Sequence, residues 1–115
     1  MPAALKAWFD QVIRVNKTFT FDLSRGEQPI EPILTGKTLV ILTSRGEGGF
    51  RPGEANESNN HLETHISTCK HFLGVESEPH LIHVDFQEFR DERHSASKEK
   101  AFRDIKTVVA ELTDT

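Results

Sequence analysis

The chain has 115 residues, with 14 Lys and Arg against 18 Asp and Glu and a formal net charge of −4. That length suits one domain, the acidic balance argues against nucleic acid as a partner, and no apolar run nears the roughly 20 residues that span a bilayer. The single cysteine, Cys69, excludes an intrachain disulfide and a cysteine-based metal cluster.

The opening stretch, MPAALKAWFDQVIRV, reads as an amphipathic helix. Leu5, Trp8, Phe9, Val12 and Ile13 share one stripe of a 3.6-residue period, and Pro2 suits a first helical turn. Lys6 and Asp10, four apart, can pair on its outer face. Lys6, Asp10 and Arg14 interrupt the apolar core that a secretory leader would need, so a cytoplasmic protein is expected. TFTFD at 18–22 alternates Phe with Thr, a short extended segment. LSRGEQPIEPILTG carries Gly26, Pro29, Pro32 and Gly36 and reads as a surface excursion.

TLVILTS, after Lys37, is a short apolar run of the kind expected for a strand buried on both faces. RGEGGFRPGEANESNN at 45–60 is loop, and Asn59 or Asn60 can cap the helix that follows. Leu62, Ile66, Cys69, Phe72 and Leu73 keep helical spacing, with Gly74 suited to the position just past its end. HLIHVDF at 80–86 reads as a second strand. The charged stretch 87–100 reads as loop, with Ser97 capping a final helix from about Lys98 to Leu112. Its apolar face would be Phe102, Ile105, Val108, Val109 and Leu112. Strands alternating with helices imply an α/β domain with parallel strands. TLVILT wants a neighbour on each edge, and this chain offers only LIHVDF.

His61 and His65 in HLETH share a helical face, but Glu63 does not follow the zinc-protease spacing, so surface histidines are expected rather than a metal site. His80 and His83 face opposite ways on a strand. Cys69 lies on an apolar stripe and is expected in the core. No nucleophile with its base and no paired carboxylates stand out, so no catalytic side chain is assigned.

PAALKAWFDQVIR, then TFTF, then TGKTLVILTSRG resemble the FMN-dependent NADH-azoreductases and related NAD(P)H:quinone reductases of flavodoxin-like fold. The matching positions are Pro2, Leu5, Lys6, Trp8, Asp10, Val12, Thr18, Phe19, Phe21, Gly36, Lys37, Ser44, Arg45 and Gly46. The resemblance implies a three-layer α/β/α fold with a parallel sheet. It implies that residues 1–115 form a single domain corresponding to the C-terminal part of that fold, from its third helix on. The family's FMN-phosphate loop and earlier strands would precede it.

The resemblance also implies a function: FMN takes hydride from NAD(P)H and passes it, ping-pong, to a quinone or azo compound, in a homodimer. The cofactor does the hydride chemistry and the protein supplies position. The family's S-R-G-G loop packs on the flavin ring, which places Ser44, Arg45, Gly46, Glu47, Gly48 and Gly49 in cofactor binding. Glu47 departs from the family's second glycine, and the glycine pair falls later, at 48 and 49. A loop beyond a strand's carboxyl end is where doubly wound folds hold ligands; read locally, the same stretch is a flexible connection. Phe19 and Phe21 match aromatics that line the substrate pocket, where stacking suits flat acceptors; core filling is the alternative for either. A second function class stays open, a non-catalytic fragment serving as a dimerisation or interaction module.

Overall fold

The computed structural model describes residues 1–114. Its elements are α1 (Ala3–Val12), β1 (Phe19–Phe21), β2 (Ile30–Pro32), β3 (Val40–Ser44), α2 (His61–Phe72), β4 (His80–Val84) and α3 (Glu92–Thr113), with short 3-10 turns between. They form two compact units, one from residues 1–39 and 60–78, the other from Val40–Asn59 and the chain from Pro79 onward.

The first unit holds α1, the β1–β2 hairpin and α2. Pro2 is the residue just before α1, and its carbonyl accepts the Lys6 N–H at 3.0 Å. Of the α1 stripe only Phe9 is buried, while Trp8 remains half exposed with its ring edge-on to Phe9. Lys6 and Asp10 pair as expected, at 2.6 Å. The stretch read as a surface excursion contains a strand: β2 pairs antiparallel with β1, Thr20 opposite Glu31. Prolines at 29 and 32 hid it, yet a two-stranded ribbon tolerates proline at its edges.

Asn60 precedes α2, its Nδ2 donating to Glu63 Oε2 at 2.8 Å. Beyond α2, Gly74 has φ 74° and closes a Schellman motif. Its N–H donates to the His71 carbonyl, and the Val75 N–H to that of Lys70. A Cβ on Gly74 would also strike the Leu34 carbonyl oxygen. Ile66 and Cys69 are buried, and burial pushes the Cys69 thiol up from its ordinary value. His61 and His65 are exposed.

The second unit holds β3, β4 and α3. β3 and β4 are adjacent and parallel, in register from Val40 opposite His80 to Ser44 opposite Val84, as the β-α-β order requires. β3 corrects the expectation of a strand buried on both faces. Ile41 is buried, whereas Leu42 is 70% exposed and Val40 and Ser44 are open. The cause is pairing on one side only: the sheet has two strands among the described residues, so β3 is an edge.

α3 corrects a second expectation. It begins at Glu92, not Lys98, and its cap is Asp91, whose carboxylate accepts the Arg93 N–H at 3.0 Å. Residues 92–100 contain neither Gly nor Pro, so the helix simply continues N-terminally to the first good cap. Ser97 lies inside it, where its Oγ accepts the Asp85 N–H at 2.9 Å. The face turned inward carries His94, Ser97, Ala101, Asp104 and Val108, with Ala101 fully buried, while Phe102, Ile105, Val109 and Leu112 are exposed. The apolar stripe exists but is not the buried one, because α3 packs against β4 and its Ala101 side is the one turned inward.

Candidate functional site

The loop leaving β3 lies at the carboxyl end of a parallel strand pair. Ser44 ends β3, its Oγ donating to Gln87 Oε1 at 3.3 Å. Beyond it the chain runs alongside the segment that leaves β4. The carbonyls of Arg45, Gly46 and Glu47 accept the N–H groups of Gln87, Glu88 and Phe86 at 3.2, 3.0 and 3.1 Å. Asn56 secures the next two: its Nδ2 donates to the Gly48 carbonyl and its N–H to the Gly49 carbonyl, each at 2.7 Å. The loop read locally as a flexible connection is thus tied down at five consecutive carbonyls.

Its donors are arranged differently. The N–H groups of residues 46–49 have no acceptor among the described residues. Backbone amides without an acceptor are donors that an anion or the acceptor edge of a flat ring can satisfy. Glycine is what lets the loop seat so closely. Gly48 lies against the Phe86 ring so closely that any side chain there would displace it, and Glu88 occupies the corresponding space at Gly46. The glycine shifted from 47 to 48 has a definite reason here, since the aromatic ring sits over 48. The Arg45 guanidinium stacks 4.2 Å over the Phe50 ring.

Of the two aromatics assigned to a substrate pocket, Phe19 is buried, with its ring 5.2 Å from and edge-on to Phe72. Phe21, two residues on along β1 and so on the same face, lies past the covered part of that face and is half exposed. Among the described residues no group of three or more His, Cys, Asp or Glu could hold a metal ion. No helix among them is long and apolar enough to cross a membrane.

One polar cluster escaped the sequence reading. Asp85, just past β4, is buried at 5% exposure. Its Oδ2 lies 2.9 Å from His83 Nδ1, its N–H donates to Ser97, and its carbonyl lies 3.1 Å from His94 Nδ1. The i, i+2 spacing of His83 and Asp85 on a strand, which places both side chains on one face, was the available signal.

A parallel β-α-β pair defines an α/β protein, and in open α/β folds ligands sit beyond the carboxyl ends of the strands. The chain belongs to the family of flavodoxin-like fold, whose model matches residues 1–109. It is 52% identical over 112 residues to the FMN-dependent NADH:quinone oxidoreductase 2 of Colwellia psychrerythraea, covering 97% of this chain and 51% of that protein. With the enzyme of the same name from Idiomarina loihiensis it shares 48% identity over 113 residues, 98% of this chain and 47% of that one. Among solved structures it is similar to an FMN-dependent NADH-azoreductase from Bacillus anthracis in complex with FMN. There the TM-score is 0.66 at 16% identity, over 90% of this chain and 49% of that chain. The chain spans about half the length of the curated relatives it matches.

Proposed function

We propose that residues 1–115 form part of a single flavodoxin-like domain in an FMN-dependent NAD(P)H oxidoreductase that reduces quinones or azo compounds. The observation that carries this is the loop at 44–49, with five carbonyls engaged and the amides of 46–49 without an acceptor among the described residues. Those amides fit the acceptor oxygens and nitrogens along the pyrimidine edge of an isoalloxazine, and the missing side chains at Gly46 and Gly48 let the loop pack closely against Glu88 and Phe86. The relatives' names support the same reading. FMN held there supplies a two-electron hydride acceptor and donor. This chain's part is to position the ring with Ser44, Arg45, Gly46, Glu47, Gly48 and Gly49, and no side chain is assigned a proton transfer. Phe21 is assigned to the quinone or azo substrate, with Phe19 as its packed neighbour on the same face of the strand. A homodimer and a cytoplasmic setting belong to the same reading.

The test is an NMR titration of the labelled chain with FMN. The amide signals of residues 46–49 should move most. The affinity expected is weaker than about 1 μM, since four backbone donors fall well short of the roughly −8 kcal/mol that value represents. If millimolar FMN leaves these four amides unmoved, the assignment of the loop is wrong.

The second reading, a non-catalytic module that associates with other chains, has its own support in the one-sided pairing of β3 and the exposed Leu42. FMN-induced shifts at 46–49 favour the first reading; self-association without them favours the second.

A further inference from the structure

The chain leaving β4 enters a turn whose first residue is strained. Phe86 has φ 64° and ψ 24°, the left-handed region, and Arg90 closes the same turn at φ 50°. That region suits glycine or asparagine. For a residue as bulky as Phe it is an outlier, because the Cβ crowds the following carbonyl. Strain of this kind persists only where the surroundings over-determine the conformation.

Three sets of contacts do so here. The Phe86 N–H donates to the Glu47 carbonyl at 3.1 Å, and the turn brings the N–H groups of Gln87 and Glu88 to the carbonyls of Arg45 and Gly46. The Phe86 ring meets Phe89 edge-on at 5.8 Å, and the Arg93 guanidinium lies over both, 4.1 Å from the Phe89 ring and 5.5 Å from that of Phe86. Asp91 grips that guanidinium at 2.6 Å. The far end of the Phe86 ring, Cζ and its two neighbours, fills the space where a side chain at Gly48 would stand. Asn56 holds the same stretch through the carbonyls of Gly48 and Gly49.

We propose that Phe86 is a positioning residue for the loop at 45–49, its ring a wedge that keeps Gly48 and its neighbours seated and so aims the amides of 46–49. A trans peptide unit is planar, with its carbonyl and N–H pointing opposite ways. Fixing the carbonyls of 45, 46, 47 and 48 therefore fixes the directions of the N–H groups of 46, 47, 48 and 49. Three of those four carbonyls are held by the turn that Phe86 begins, and the fourth belongs to Gly48, the residue its ring presses on. What the amides bind rests on the flavin reading; the wedge itself does not.

The experiment is residue-by-residue amide hydrogen exchange of the full chain, run beside the FMN titration, for the unaltered chain, Phe86→Gly and Phe86→Met. Glycine removes the ring and relieves the left-handed backbone, so the fold is spared. The reporter is the Asn56 amide, which donates to the Gly49 carbonyl and lies far from residue 86 in the chain. In Phe86→Gly it should exchange at least about tenfold faster while β4 and α3 keep their rates. FMN should bind that variant at least about tenfold more weakly. Phe86→Met, whose long adaptable side chain reaches toward Gly48, should recover most of both. An unchanged Asn56 rate in Phe86→Gly overturns the proposal. So does faster exchange spread evenly through β4 and α3, which means lost stability and not a released loop. Loosening at Asn56 with FMN affinity unchanged overturns it as well, since loop order then does not govern binding. Absence of FMN-induced shifts in the unaltered chain defeats the flavin reading instead, and the exchange rates still decide whether the ring holds the loop.

Discussion

Gly74 carries two constraints at one position. Its φ of 74° is one that L side chains rarely adopt, and the Leu34 carbonyl fills the space where a Cβ would stand. Either alone disfavours alanine; together they cannot be relieved by a rotamer change, because the obstacle is backbone. Gly74→Ala should destabilise the fold by about 1–3 kcal/mol in urea unfolding. Ile66, buried in α2, has no such special backbone and should respond through lost packing: Ile66→Ala should cost about 2–5 kcal/mol, more where the surroundings cannot collapse. The sequence reading found both positions, the glycine from its place after an apolar run and the isoleucine from its period. Asp85 was not found, since a carboxylate at a strand's end reads as solvent-facing until the Ser97 hydroxyl and His94 ring are seen beside it.

At the scale of elements, α3 is the case where local chemistry outweighed apolar pattern. Its start is set by Asp91, whose carboxylate accepts the Arg93 N–H and grips the Arg93 guanidinium. Those side-chain hydrogen bonds from Arg93 hold the Asp91 carboxyl below its ordinary value. A lowered folded value means that the stabilisation is present above the unfolded pKa, near 3.8, and is lost as pH falls through the folded one. Asp91→Asn should therefore lower the thermal midpoint at neutral pH. The gap from the unaltered chain should close as the solution is taken below pH 4, and a gap that persists unchanged in acid would rule out the carboxylate as its source. β3 shows the opposite imbalance. Its apolar run predicts burial on both faces, but a strand is buried only as far as its neighbours reach, and here one neighbour is present. Leu42→Lys places a charge on that open strand, a device that discourages edge pairing. It should reduce self-association by light scattering while changing stability by no more than about 0.5 kcal/mol.

For the whole molecule, exposed apolar surface is the feature with consequences in solution. Trp8, Leu42, Phe102 and Val109 are each more than half exposed, and β3 has an unpaired edge. Side chains of this size are worth roughly 1.5–3 kcal/mol each when buried, against a total stability of about 5–15 kcal/mol for a native domain. The chain should self-associate or aggregate rather than persist as a monomer, as light scattering across a dilution series will show. A monodisperse monomer with a sharp, concentration-independent thermal transition would mean that these surfaces are tolerated in water. The fold at this scale was legible: the order of the three helices and the parallel pair follows from the periodicity, and the flavodoxin-like family from the resemblance carried by the first helix, TFTF and TSRG. The two-stranded hairpin was legible only in part: the Phe–Thr alternation marked β1, whereas Pro29 and Pro32 hid β2.

The residue sequence by itself determined what depends on neighbours a few positions apart. Helical stripes, the cap after α2, the glycine loop beyond β3 and the parallel hand of the β-α-β crossover are local, and local sterics suffice to specify them. Tertiary structure decided what depends on residues far apart in the chain. The loop's carbonyls had to meet the amides of 86–88 before its own N–H groups were left open. Gly48 had to lie against Phe86 before its place in the loop made sense. Each of these rests on hydrogen bonds or contacts across about forty residues of chain, and no window of sequence spans that distance.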